Sequence, residues 1–179
     1  FWNYAQGDAT FEGAEFTLYN RSDAAVWYDG NGDGELQDGE MVDPDGVVAV
    51  LSTEYNASLD AWTASTGVRA LPYGTYELRE TVPPEGYLLS DEVWRFEIRE
   101  DGVVVEATTE QSIDNQVIRG GVKTAKLDHQ SQTSVPQGSA SVEGAVFAIK
   151  SVSANPVLVD GIVYEPGKDV ATITSGADG

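Results

Sequence analysis

Two polar side chains fall on strand faces that otherwise bury their residues. In Gly74-Thr75-Tyr76-Glu77-Leu78-Arg79-Glu80-Thr81-Val82, period-two alternation places Tyr76, Leu78, Glu80 and Val82 on one face and Glu77, Arg79 and Thr81 on the other. The first face reads as core, so the Glu80 carboxyl loses solvation and its pKa is expected to rise unless a cation pairs with it. In Ser112-Ile113-Asp114-Asn115-Gln116-Val117-Ile118, Asn115 shares a face with Ile113 and Val117. An inward acid and an inward Asn are two of the three groups needed when a lysine amine attacks an Asn amide while a buried acid relays protons. The bland reading gives Glu80 an arginine partner or a frayed strand end, and leaves Asn115 to satisfy backbone groups. Alternation alone does not choose, because structural and functional networks both perturb buried acids.

A second constellation rests on spacing. Asp29-Gly30-Asn31-Gly32-Asp33-Gly34-Glu35-Leu36-Gln37-Asp38-Gly39-Glu40 places oxygen side chains at the first, third, fifth and twelfth positions of an EF-hand-type loop, Gly at the sixth and an apolar residue at the eighth. Calcium takes many hard oxygens from a backbone that turns sharply, and this order supplies both. The expected ligands are Asp29, Asn31, Asp33, the Glu35 carbonyl and Glu40, with Asp43 and Asp45 as weaker additions. Helices flank a true EF hand, but here the neighbours Ala25–Tyr28 and Val47–Leu51 read as strands, so an EF-like loop inserted between strands is predicted. The bland alternative is a solvated acidic turn.

Composition sets the surroundings. With 30 Asp+Glu against 10 Lys+Arg, a net charge of -20 and no Cys, the chain has no basic patch for nucleic acid and no disulfide or thiolate metal site. Acidic surfaces suit divalent cations instead. No apolar run is long enough to span a membrane, and no signal peptide or lipidation motif is present. His129 stands alone in a polar loop without HExxH or GxSxG, which argues against a triad or zinc enzyme. The four Trp and eight Tyr read mainly as strand fillers, with Trp27 and Trp62 the ones to inspect for a ligand site.

An internal repeat organises the chain. Gly7-Asp8-Ala9-Thr10-Phe11-Glu12-Gly13-Ala14-Glu15-Phe16-Thr17-Leu18 returns as Gly138-Ser139-Ala140-Ser141-Val142-Glu143-Gly144-Ala145-Val146-Phe147-Ala148-Ile149. Ala25–Tyr28 then matches Pro156–Val159, and Val47–Leu51 matches Val170–Ile173. Trp94, Phe96 and Ile98 alternate with charged residues, Glu100-Asp101-Gly102 reads as a hairpin turn, and Val103–Val105 as its return strand. With no helical period anywhere, the expectation is an all-β fold of Ig-like sandwich repeats in tandem, 1–118 and 119–179, joined by a short linker so that the domains are strung end to end. The second copy stops before any counterpart of the Glu80 or Asn115 strands and is expected to be incomplete.

Three motifs in order carry a resemblance. Glu12–Tyr19, then Leu71–Thr81, then Pro83-Pro84-Glu85-Gly86-Tyr87 resemble the prealbumin-like Cna-B (SpaA-type) domains of Gram-positive pilins and surface adhesins, over residues 1 to about 118, with only the front half recurring in the second copy. The resemblance implies a prealbumin-like sandwich and an autocatalytic isopeptide bond between a first-strand Lys and a last-strand Asn, beside the acid of the GxYxLxE strand. By position, Glu80 is that acid and Asn115 that Asn. Here the chain departs from the pattern, because residues 1 to 122 contain no lysine. Lys126 occupies the position of the reactive Lys for the second copy, while the equivalent position for the first falls upstream of Phe1, so either the chain as given starts inside the first strand or this domain has lost the bond. The expectation is therefore a piece of a longer multidomain protein.

The function expected is a non-enzymatic structural and adhesive stalk module, extracellular and cell-wall-anchored, stiffened by calcium and by Lys–Asn isopeptide bonds. Its partners would be neighbouring domains or subunits of the same fibre. Alternatives are an adhesin tip module binding a host protein or glycan, favoured by an exposed aromatic cluster, and a glycoside hydrolase, which would need two inward acids facing a groove.

Overall fold

A computed structural model describes residues 5–67, 69–107 and 115–179, and among them every regular element is a strand. Contacts divide the chain into a large unit, Ala9–Ile118, and a small unit made of the residues up to Asp8 together with Arg119–Gly179.

In the large unit the strands are β1 (Glu15–Asn20), β2 (Val26–Trp27), β3 (Met41–Val42), β4 (Val47–Ser52), β5 (Glu54–Asn56), β6 (Ala61–Thr63), β7 (Gly74–Val82) and β8 (Val93–Ile98). A four-stranded antiparallel sheet runs β4-β1-β7-β8, while β2–β3 and β5–β6 form two-stranded hairpins. Leu18, Val48 and Tyr76 of the sheet pack on Val26 and Val42 of the β2–β3 hairpin, closing a two-layer core that Leu78, Phe96 and Ile98 extend. Burial of each such side chain stabilises the unit by roughly 1.5–3 kcal/mol. Tyr76 stacks on Phe96 with ring centroids 5.7 Å apart, a favourable aromatic pairing. Along β8, exposed and half-buried residues alternate as the Trp94, Phe96, Ile98 pattern predicts.

Two expectations need correction. Val82 does not join the core face: it is 42% exposed, because a register shift pairs Phe16 with Glu80 but Glu15 with Val82, leaving Thr81 as an extra residue that breaks the alternation. Val103–Val105 follows the turn but forms no strand, since valine propensity makes a strand only where a neighbour supplies ladder hydrogen bonds. The described residues up to Asp8 belong with the small unit. There the Gly7 N–H donates to Pro156 O at 3.1 Å, Gly7 O accepts from Asn155 N–H at 2.9 Å, and Asp8 accepts from the Ala154 N–H at 2.8 Å.

The Pro-Pro-Glu-Gly-Tyr motif turns the chain back after β7. Gly86 sits at φ +90°, and a Cβ there would meet the Ala9 Cβ at 2.5 Å, so only glycine fits. Tyr87, 4% exposed, stacks on Phe11 at 5.3 Å and bridges to Val117.

The small unit contains β9 (Val146–Lys150), β10 (Val157–Val159), β11 (Ile162–Tyr164) and β12 (Asp169–Thr174), with β9 paired to β12 and β10 to β11. This element order is that of β1, β2–β3 and β4. The Ser175 N–H donates to Ala145 O at 2.9 Å just as the Thr53 N–H donates to Ala14 O at 2.9 Å. Val142 is buried, whereas Val146 is 67% exposed and Phe147 and Ile149 are half-buried.

Candidate functional site

Glu80 is 4% exposed on the inner face of β7, opposite Phe16 of β1. Phe16 in turn packs against Trp94 of β8, with ring centroids 6.3 Å apart. One oxygen, Oε2, accepts the Ser90 N–H at 2.7 Å, and the other, Oε1, is buried without a partner among the described residues. Burial pushes the Glu80 carboxyl above its ordinary value, offset in part by the Ser90 hydrogen bond. Asn115 Oδ1 is likewise buried without a partner among the described residues. Chain 86–88 links the two positions: the Leu88 N–H donates to Gln116 O at 2.8 Å and the Ile118 N–H to Gly86 O at 2.8 Å. The segment leaving the Gly86 turn thus pairs beside Asn115 and, two residues beyond Leu88, caps Glu80 through Ser90. Two buried acceptors without donors are costly. Ile113, the apolar neighbour used to orient Asn115, lies outside the described residues.

Residues 28–40 form the end loop of the β2–β3 hairpin, whose Val26–Val42 and Trp27–Met41 pairs close it, as does the Tyr28 N–H donating to Glu40 O at 2.9 Å. Asp29 accepts from the Gly32 N–H at 2.7 Å and the Gly34 N–H at 2.9 Å, and Asp33 accepts from the Glu35 N–H at 2.8 Å. Gly34 at the sixth position takes φ +75°, the sharp turn that such a loop needs. Glu40 Oε2 accepts from the Trp27 indole N–H at 3.0 Å and the Gln37 N–H at 2.8 Å. Among the described residues no three Asp, Glu or His side chains are gathered closely enough to hold a metal ion. The hard-oxygen donor set suits calcium, but Glu40 would have to leave Trp27 and Gln37 to complete it. In the small unit the β10–β11 hairpin closes instead with Asp160-Gly161, both at positive φ, so such a hairpin does not need the long loop.

The SpaA prealbumin-like fold domain family matches residues 5–112. The chain belongs to this family. No curated protein matches the chain. SpaA domains are structural modules that occur in Gram-positive surface pilins, and the all-β, antiparallel architecture is the one expected of a prealbumin-like β-sandwich. Among the described residues no helix is long and apolar enough to cross a membrane. The match ends three residues before Asn115.

Within the SpaA-type unit, the most heavily partnered acid is one that alternation assigned to the outer face. Glu77 is fully buried on that face. Its Oε1 takes Arg21 at 2.8 Å and Arg79 at 2.6 Å, and its Oε2 takes Arg95 at 2.8 Å. Arg21 lies over the Tyr19 ring at 5.0 Å. The Arg21 guanidinium foremost, then Arg95 and Arg79, hold the Glu77 carboxyl down at about 2 against the cost of burial. The signal in the sequence was the spread of Arg21, Arg79 and Arg95 over β7 and its neighbours, all within a chain of 10 basic residues. Asn20 was also missed: wholly buried at the end of β1, it donates to Ala24 O at 2.9 Å and Val42 O at 3.1 Å and so ties the loop-bearing hairpin to the sheet. Lys126 and His129 are exposed in the small unit.

Proposed function

We propose that this chain is a structural stalk module of a Gram-positive cell-surface protein or pilin, anchored to the cell wall and stiffened in two ways. The observation that carries the reading is the pair of buried acceptors, Glu80 Oε1 and Asn115 Oδ1, unpartnered among the described residues, in a SpaA-type unit. A lysine ammonium satisfies both. Deprotonated, the amine attacks Cγ of Asn115; a new N–Cγ bond forms, the Cγ–Nδ2 bond breaks, and ammonia leaves. Glu80, whose burial favours the protonated carboxyl, gives its proton to the leaving nitrogen and regains one from the attacking amine. The lysine comes from outside residues 1–122, and Lys126 is the matching amine for the second copy.

Calcium is the second stiffener, held by Asp29, Asn31, Asp33, the Glu35 carbonyl and Glu40. When bound, it would cross-link a loop that the hairpin alone holds only at its base. The partners are neighbouring domains or subunits of the same fibre. Intact mass of the natural full-length polypeptide tests the covalent part. The wild type is expected to be lighter by one ammonia for each bond formed, and Glu80→Ala and Asn115→Ala are expected to restore the missing mass for the large unit. Full mass in the wild type would remove the isopeptide from this reading.

One observation favours a second reading, an adhesin tip module for a host protein or glycan. Tyr55 and Trp62 on the β5–β6 hairpin stand 5.8 Å apart, with Tyr55 54% exposed, and such a pair can stack on a sugar ring. Loss of glycan-array binding in Trp62→Ala would support it.

A further inference from the structure

The two edges of the four-stranded sheet differ. At β4, a register shift pairs Leu18 with Ala49 but Tyr19 with Val47, so Val48 is an extra residue that bulges this edge, a common protection against pairing with another chain. Strand β8 has no such feature. Its residues Val93-Trp94-Arg95-Phe96-Glu97-Ile98 include no Pro, Gly or Lys, and its ladder to β7 is regular. Among the described residues no strand pairs with its other side. Val103 and Val105, which follow the turn, stand off from Glu97–Glu100 across a cleft of about 260 Å³.

The strand is also complementary to itself. Antiparallel pairing of two β8 strands about a twofold axis at Phe96 sets Arg95 opposite Glu97 of the second copy, and Glu97 opposite its Arg95. On the inner face the same register sets Trp94 opposite Ile98. Both charged side chains reach solvent, 72% and 56% exposed, although Arg95 also binds Glu77 and Glu97 also pairs with Arg99. Opposite charges directly across a ladder stabilise it, and like charges oppose it. We propose that β8 is a self-association edge, at which two copies of this chain join their sheets into one continuous antiparallel sheet through an isologous contact.

Sedimentation velocity on the full chain over a wide concentration range tests this, at about 0.15 M salt, where repulsion beyond roughly 8 Å is screened. The expected result is a reversible dimer, with amide exchange along Val93–Ile98 slowing as concentration rises. Glu97→Lys puts two Lys–Arg contacts into the register and is expected to weaken the dimer roughly tenfold or more. Its melting temperature should barely change, because only an exposed pair with Arg99 is lost. Val93→Lys, which faces Arg99 of the second copy, is expected to act in the same direction and serves if the first variant fails to fold. A chain that stays monomeric overturns the proposal, whether the β8 amides exchange fast, leaving an open but unused edge, or slowly, covered by the chain itself. Dimers indifferent to both substitutions overturn it as well.

Discussion

The backbone N–H of Ser90 donates to Oε2 of Glu80 at 2.7 Å, while Oε1 of the same carboxyl is buried with no partner among the described residues. The acid is held in place from one side and left open on the other. That asymmetry has a consequence for stability. Burial raises the folded-state pKa of Glu80, so ionising it costs the native state more than the unfolded one. Stability should be undiminished below the unfolded value and fall as pH rises through the window between the unfolded and folded values. Glu80→Gln keeps an acceptor for Ser90 and does not ionise. It should match the wild type at pH 4 and melt higher at pH 7, as followed by circular dichroism; equal melting differences at both pH values would contradict the assignment.

Glu77 works in the opposite sense. Its carboxyl is held at about 2 by Arg21, Arg95 and Arg79. The stabilisation is therefore present above the unfolded carboxylate value and lost as pH falls through about 2. Glu77→Ala should cost about 2–3 kcal/mol, below the usual figure for breaking a buried pair, because Arg79 and Arg95 are partly exposed. Urea melts at pH 7 and pH 2.5 check it: most of the difference between variant and wild type should shrink at the lower pH.

Gly86→Ala is expected to destabilise the large unit by about 2 kcal/mol or more, from positive φ and the contact with Ala9 together. The loss of stability should be accompanied by faster amide exchange at Leu88 and Ile118, whose hydrogen bonds depend on the same turn.

The acidic loop gives a metal-dependent prediction. Calcium should raise the melting temperature of the wild type in a concentration-dependent way, with a change in Trp27 fluorescence as Glu40 leaves the indole. Asp33→Ala should blunt both responses. Replacing residues 29–40 by Asp-Gly, the turn used by the β10–β11 hairpin, should abolish them and leave the fold intact. A flat, identical titration of wild type and Asp33→Ala would remove calcium from the function.

Much of this protein follows from the order of its residues alone. Alternation over Val93–Ile98 determines a strand and its inner face, because a side-chain period of two needs only one buried surface to be read. Gly86 follows from its motif, and the interior position of Glu80 from its strand, since both are local consequences of backbone conformation. Tertiary structure decided the rest. The bulge at Thr81 that exposes Val82 exists only because β1 pairs there. The burial of Glu77 on the outer face depends on arginines from three different strands or their ends converging on one carboxyl, which no local pattern encodes. Asn20 became a clamp only once β2–β3 was laid over β1. Val103–Val105, with full strand propensity, stayed unpaired because a strand is stabilised by its neighbour's hydrogen bonds, and which segments become neighbours is settled by the whole chain.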